Sequence, residues 1–304
     1  MECRICPRRC GVDREKGNIG YCGADEKIRV ARAALHYWEE PCISGDEGSG
    51  TVFFSGCNLH CVYCQNYKIS GGETGKVISI EELAEIFLRL QAKGANNINL
   101  VTPTHYVLPI RAALQMAKAR GLIIPIAYNC GGYESVTALK ALAGYVDIYL
   151  TDFKYVSTVL AEKYSSAEDY FEVAAAALQE MVRQVGNAVF VPGDGAAQKD
   201  GLMKKGVIVR HLLLPGQIDD SKRVLSYLHQ TYGERIFISI MNQYTPLPHV
   251  AKWPELNRKV TDEEYEEVID YAIEIGIENG FIQEGETAEE SFIPDFGTDM
   301  ILEL

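Results

Sequence analysis

From Thr51 onward, short apolar runs alternate with longer segments whose apolar residues return every three or four positions. That alternation predicts parallel strands joined by helical crossovers, an α/β class, and six units can be counted. The strands are expected over residues 51–54, 97–101, 123–128, 146–150, a composite fifth made of 188–191 and 206–216, and 236–241. Ser79-Ile80-Glu81-Glu82 reads as a capping box, with Ser79 as N-cap and Glu82 three positions inside, opening a helix through Leu83, Ile86, Phe87 and Leu90. Thr261-Asp262-Glu263-Glu264 repeats the device before the last long helix, and further helices are expected over about 107–119, 135–143 and 156–184. Pro125 is a departure from strand preference within the third run. The Gly-rich stretch holding Asp194 and Lys199 is longer than a compact domain usually carries without a function or mobility of its own. The tail 286–304, with Phe292, Ile293, Phe296 and Ile301, is too apolar for a free end and is expected to pack on the barrel or a partner.

Composition changes this picture little. The 304 residues are 47% hydrophobic, enough for a sizeable buried core. The expected division is a Cys-rich lobe over 1–50, a strand–helix barrel over 51–245, and a C-terminal helix and tail over 246–304. No apolar run approaches bilayer length and Met1-Glu2-Cys3-Arg4 does not begin a signal peptide, so a cytoplasmic protein without a membrane partner is expected. The formal charge of −13 argues against a nucleic-acid partner, since phosphate binding needs clustered Lys and Arg. Acidic runs such as Glu263-Glu264 and Glu266-Glu267 read as a solvated helix face.

Nine cysteines in an unexported chain point to metal or cluster ligation rather than disulfides. Cys57, Cys61 and Cys64 fall within eight residues, directly after the first strand. Three thiols this close leave one iron of a cubane open to an outside ligand, whereas zinc motifs usually come as paired cysteines, and three buried thiols are the bland alternative. Cys3, Cys6, Cys10 and Cys22 lie in a segment of little periodicity and match either a structural zinc site or an auxiliary iron–sulfur cluster. Cys42 could replace one of them, or be a buried structural cysteine.

The spacing of Cys57, Cys61 and Cys64, with Tyr63 before the last, resembles the signature of the radical SAM superfamily. The six-unit pattern is similar to that family's partial (β/α)6 TIM-like barrel. Within it, Asp152-Phe153-Lys154 looks like the Asp-Leu-Lys of the pyruvate formate-lyase activating enzyme branch, and Arg210 to Gly216 resembles that branch's arginine strand ending in Pro-Gly. The N-terminal cysteine lobe and the Met241-Asn242-Gln243-Tyr244 strand end resemble a less characterised subgroup of activating-enzyme homologues. The resemblance implies a 4Fe-4S cluster on Cys57, Cys61 and Cys64, S-adenosylmethionine chelated to its open iron, and a one-electron donor such as flavodoxin or ferredoxin. It implies cleavage to a 5′-deoxyadenosyl radical that abstracts hydrogen, with a glycine of a protein partner as the first substrate class. Radical modification of a peptide or small molecule with an auxiliary cluster is the second reading, and a non-catalytic iron–sulfur or zinc scaffold the third.

The same resemblance implies the cofactor contacts. Tyr63 is expected against the adenine or as a wall of the cluster loop, Thr102 and Thr104 at the end of the second strand near the methionyl amine, Asn129 near the ribose or carboxylate or as a turn residue before Gly131-Gly132, and Asp152 and Arg210 facing the lumen. Gly71-Gly72-Glu73 imitates the family's amine-binding motif but comes too early in the chain. Of the Asp152 and Lys154 pair only Asp152 is expected inward; His211 reads as a core histidine, His105 as a substrate contact or a capping residue, and Cys130 as a hydrogen donor or a small buried residue. Gln243 and Tyr244 are expected on the substrate side of the lumen.

Overall fold

The structure, a computed structural model, describes residues 2–191, 201–283 and 296. Its centre is a ten-stranded sheet in the order β10-β9-β8-β6-β5-β4-β2-β1-β3, with β7 paired to β8. The strands are β1 (Ile28–His36), β2 (Ser49–Phe54), β3 (Lys76–Ile78), β4 (Ile98–Val101), β5 (Ile126–Cys130), β6 (Ile148–Asp152), β7 (Val189–Val191), β8 (Leu202–Leu212), β9 (Phe237–Met241) and β10 (Gly280–Ile282). From β2 to β10 neighbouring strands run parallel, while β1 lies antiparallel between β2 and β3. Six parallel units are present, but the fifth strand is β8 alone, over 202–212 rather than 206–216, with 189–191 laid back on it as the antiparallel β7. The open order from β3 to β10 is that of a partial barrel.

Three departures from the expected elements have local causes. The third strand begins at Ile126 rather than 123, because Pro125 has no N–H for the ladder, and the Ile123 and Ile124 amides are bonded instead to the Gln91 side chain at 2.7 and 3.2 Å. Residues 28–36, inside the stretch expected to be irregular, form β1, so the irregular lobe gives way to sheet well before residue 50. β10 adds a parallel strand beyond the sixth unit. The loop carrying Asp194 and Lys199 and the tail 286–304 lie outside the described residues, apart from Phe296, whose ring meets Phe53 edge-on at 5.5 Å.

The crossover helices cover the outer face of the sheet. They are α3 (Ile80–Ala92), α4 (Val107–Ala119), α5 (Val136–Ala141), α6 (Thr158–Ser165), α7 (Tyr170–Val185) and α8 (Ile218–Tyr232), with α9 (Asp262–Glu274) preceding β10. Two short helices, α1 (Pro41–Ser44) and α2 (Tyr67–Ser70), sit in loops. Both capping boxes form as expected, on Ser79 and Thr261. In α3 the buried stripe is Leu83, Ile86, Phe87 and Leu90, each contributing roughly 1.5–3 kcal/mol over exposure, far more than the helix's own propensity supplies.

Because side chains alternate across a strand, each strand divides its residues between two cores. Tyr128, Tyr149, Val207, Val209 and Ile238 pack outward in the main cluster with the helices. Ala127, Ile148, Leu150, Ile208 and Phe237 point inward and form a separate cluster with Cys42 and Ile43 of α1, plugging the lumen. Two positions further along the inward faces come Asn129, Asp152, Arg210 and Ser239. The alternation therefore carries the lumen from an apolar floor to a polar ring. Among the described residues no helix is long and apolar enough to cross a membrane.

Candidate active site

The cysteine loop leaves β2, whose six residues are all buried. Gly56 makes the exit turn with φ +94°, and a Cβ there would lie 2.4 Å from the Cys22 carbonyl oxygen. Gly56→Ala is expected to distort the loop and cost about 1–3 kcal/mol, read as a lowered urea midpoint. Asn58 pins the loop by donating to the Tyr133 carbonyl at 2.6 Å, and the Val62 amide bonds the Tyr164 carbonyl at 2.8 Å. Cys57, Cys61 and Cys64 are free, half-buried or nearly so, and line one cavity. Burial and the neighbouring Cys61 push the Cys57 thiol up to about 11, and burial with Cys57 and Cys61 pushes Cys64 higher still. Cys57 and Cys64, disfavoured as free thiolates and set with Cys61 in one cavity wall, suit a cationic iron–sulfur centre.

That cavity, about 520 Å³, runs from the cysteine loop along the polar ring to His36 and Trp38 on one side and Phe281 and Gln283 on the other. Its ionised side chains are paired with one another. Lys154 reaches Asp152 at 2.5 Å; burial alone would lower its pKa, but Asp152 outweighs that and raises it well above the usual lysine range. Arg210 takes Glu40 in a two-point grip, Nε to Oε1 at 2.8 Å and an Nη to Oε2 at 2.6 Å, and also bonds Glu39. Burial pushes the Glu40 carboxyl up, yet Arg210 more than compensates and holds it below the ordinary carboxylate range. Asn99 donates to Glu39 at 2.8 Å, so Glu39 is tied to β4 as well as β8.

Of the expected contacts, Tyr63, Thr102, Asn129, Asp152 and Arg210 all line the cavity. The Tyr63 hydroxyl meets Tyr155 at 2.6 Å, Tyr155 meets Ser165 at 2.8 Å, and the Ser165 hydroxyl reaches the Cys61 sulfur at 3.0 Å. Thr102 holds a left-handed φ of +56°, costly for a β-branched residue, with its amide bonded to the Asn129 carbonyl. Thr104 departs from expectation. It starts a 3-10 turn that directs its hydroxyl to Glu134 at 2.6 Å, and it does not reach the cavity. Lys154 also departs, lining the cavity beside Asp152, because residues two apart share a face of an extended chain. His211 is bonded on both ring nitrogens, to the Phe153 carbonyl and Ser221, as a core histidine would be. His105 is buried against the Ser55 carbonyl and does not line the cavity, whereas Cys130, Gln243 and Tyr244 do.

Sequence reasoning missed Glu39, Glu40 and Glu134. The first two lie between the end of β1 and α1, and since β1 is itself not announced by the sequence, nothing in their spacing marks them. Glu134 is buried, accepting from Thr104 at 2.6 Å and Tyr128 at 2.9 Å, and burial pushes its carboxyl up to about 7. A folded-state value above the unfolded one means that stability is lost as pH rises from about 4.5 to about 7. Glu134→Gln is expected to flatten that slope and to raise stability at pH 8 by about 2–3 kcal/mol, measured by urea unfolding at pH 5 and pH 8.

The radical SAM superfamily profile matches residues 51–228. Two relatives from Methanocaldococcus jannaschii, the uncharacterized proteins MJ0674 and MJ0808, are 29% and 24% identical to this chain; the alignments cover 89% of it and 74% of the first, and 99% of it and 87% of the second. Among solved structures, Streptococcus suis SuiB bound to precursor peptide SuiA aligns with TM-score 0.50 and 13% identity over 76% of this chain and 47% of its own. The FeFe-hydrogenase maturase HydG from Carboxydothermus hydrogenoformans aligns with TM-score 0.50 and 13% identity over 78% and 54%. The chain thus spans about half the length of these structures, and at such identity they speak to the fold alone. A family match over more than half of the chain, centred on a barrel whose first parallel strand delivers Cys57, Cys61 and Cys64 into the lumen, makes this chain a member of the radical SAM superfamily.

Proposed function

We propose that this chain is an activase-like radical SAM oxidoreductase, abstracting hydrogen from a backbone position of a protein partner, specifically a glycine. Membership of the superfamily brings a 4Fe-4S cluster, S-adenosylmethionine and the need for an external electron donor, for which a flavodoxin or ferredoxin is the proposed partner. Cluster and cofactor together supply the carbon radical that takes the hydrogen. The chain's own residues hold and orient: Cys57, Cys61 and Cys64 ligate three irons, while Thr102, Asn129, Asp152 and Lys154 surround the cofactor at the strand ends. Tyr63 forms a wall that its hydroxyl chain to Tyr155 fixes in place.

One observation carries the substrate class. The carboxylates and cations lining the cavity are paired internally, Asp152 with Lys154 and Arg210 with Glu39 and Glu40. Burial lowers the pKa of His36, which favours its neutral form. With Asp152 and Lys154 assigned to the cofactor, the charges left for a substrate, Arg210 with Glu39 and Glu40, are already satisfied, which disfavours an ionised small-molecule substrate. The lumen suits a neutral polar segment, and the side-chain amides of Gln243 and Gln283, 3.2 Å apart at its edge, offer peptide-like donors and acceptors. The SuiB structure, which holds a precursor peptide, supports a peptide substrate by analogy of fold. Radical modification of a peptide or small molecule is the second reading.

The test is label transfer. Peptides carrying α-deuterated glycine, incubated anaerobically with reductant and S-adenosylmethionine, are expected to deliver deuterium into 5′-deoxyadenosine and leave a peptide-based radical in the EPR spectrum. Turnover driven by free amino acids or other small molecules, with no transfer from any glycyl peptide or partner protein, would overturn the reading.

A further inference from the structure

The N-terminal lobe gathers four thiols that the barrel chemistry does not use. A bridge from Glu2 to Asp13, with the Cys3 amide on the Val12 carbonyl at 2.9 Å and the Gly11 amide on the Cys3 carbonyl at 3.0 Å, folds Cys3 back beside Cys10. The Cys3 and Cys10 thiols come within hydrogen-bonding reach, and Cys6 and Cys22 are close enough to feel each other's charge. Gly20 makes the convergence possible: a Cβ there would sit 3.3 Å from the Cys10 sulfur and 3.6 Å from the Cys22 sulfur. In the cluster loop the Leu59 amide donates to the Cys57 sulfur at 3.4 Å. Cys130 takes no part in either set; its thiol donates to the Thr151 hydroxyl at 3.4 Å.

We infer that Cys3, Cys6, Cys10 and Cys22 bind a single zinc ion and that this ion fixes the loop carrying Cys57, Cys61 and Cys64. A tetrahedral site with metal–sulfur bonds of about 2.3 Å brings its sulfurs about 3.8 Å apart, whereas cubane ligands each take a different iron and stand further apart. The Cys10 and Cys22 sulfurs, drawn from opposite ends of the lobe to within 3.3 and 3.6 Å of one point beside Gly20, favour the single ion. Among the described residues neither cysteine set has three ligating side chains already drawn around one point, and the radical SAM set binds its cluster in this family regardless. Thiol rotation and deprotonation accompany metal entry at both.

The lobe grips the cluster loop through its own ligand segments. The Cys57 amide donates to the Cys22 carbonyl at 3.0 Å, and the His60 ring meets the Tyr21 carbonyl at 2.9 Å. Arg8, between Cys6 and Cys10, donates from Nε to the Asn58 carbonyl at 2.7 Å, its guanidinium held over the Tyr21 and Tyr133 rings. A lobe without its ion would release all three anchors.

Zinc and iron are counted on anaerobically purified, reconstituted protein, together with the rate at which a chelator bleaches the cluster; none of this depends on the substrate. The expected wild-type content is about one zinc per chain, retained when Cys57, Cys61 and Cys64 are all changed to alanine. Cys10→Ser is expected to lose the zinc and to bleach roughly tenfold faster. Cys10→His, which preserves a zinc ligand set of three cysteines and one histidine, is expected to restore both, a rescue that a general folding defect would not allow. Wild-type protein without zinc, whether because a Cys10–Cys22 disulfide forms or because the triple-alanine variant still holds iron on the lobe, would overturn the zinc assignment. Zinc loss in Cys10→Ser with unchanged bleaching would overturn the coupling to the cluster loop.

Discussion

Replacing any one of Cys57, Cys61 and Cys64 by alanine is expected to abolish formation of 5′-deoxyadenosine and to leave the protein unable to hold its four irons. The loss should exceed the roughly 10–100-fold that changes around a metal's ligands usually cost, because a ligand itself is gone. The three are not equivalent in their supports. Cys57 is tied to the lobe through its amide and Cys61 accepts the Ser165 hydroxyl, so Ser165→Ala, which removes only that support, should cost far less than Cys61→Ala. Iron counts and product assays on the four variants check this ranking. A Cys61→Ala protein with wild-type iron and product would contradict it.

Arg210→Ala is expected to be the most destabilising single change in the lumen. It strands two carboxylates, Glu39 and Glu40, among buried groups, and removing one partner of such a set typically costs about 3–5 kcal/mol. The pH dependence should change sign. In the wild type the folded-state pKa of Glu40 is depressed, so its contribution is present above the unfolded carboxylate value and is lost as pH falls through the folded one. Without Arg210 burial pushes the Glu40 carboxyl up instead, and stability falls as pH rises. The variant should therefore lie near the wild type at pH 4 and well below it at pH 8. Arg210→Lys should recover only part, since an ammonium cannot reproduce the two-point grip on Glu40. Urea unfolding of both variants at the two pH values gives the test, and equal loss at both would show that Arg210 acts through packing alone.

Much of this architecture was legible because it rests on periodicity. Six parallel units, the two capping boxes and the α4 boundaries follow from apolar spacing and local hydrogen-bonding chemistry. β1 was not legible: its alanines and two arginines give a weak alternation, and it becomes a strand by pairing with β2. β10 is three residues long and depends on β9 in the same way. In the site, residues on strands, at strand ends or in the cysteine motif were readable, and residues on the other loops were not. Tyr63, Asn129, Asp152 and Arg210 reach the cavity by strand direction or motif, whereas Thr104 is turned aside by a 3-10 turn that no residue spacing announces. Glu39 and Glu40 enter the lumen from the segment before α1, a long-range placement set by the tertiary fold.

The consequence for function lies in how Arg210 is used. The family resemblance alone would give it to the cofactor, but here it is engaged by two acids, which leaves Asp152 and Lys154 as the other charged pair lining the cavity. Lys154 sits 6.0 Å from the Tyr63 ring centre. These residues, more than Arg210, are where substitutions should affect cofactor affinity without unfolding the barrel.

The most direct test of the cluster assignment needs no substrate. Protein reconstituted anaerobically with iron and sulfide is reduced with dithionite, and its EPR spectrum is recorded with and without S-adenosylmethionine. The expected result is about four irons bound through Cys57, Cys61 and Cys64, with a spectrum that shifts when the cofactor takes the open iron. A spectrum indifferent to S-adenosylmethionine, or one that survives alanine at all three positions, would contradict a radical SAM centre on this loop.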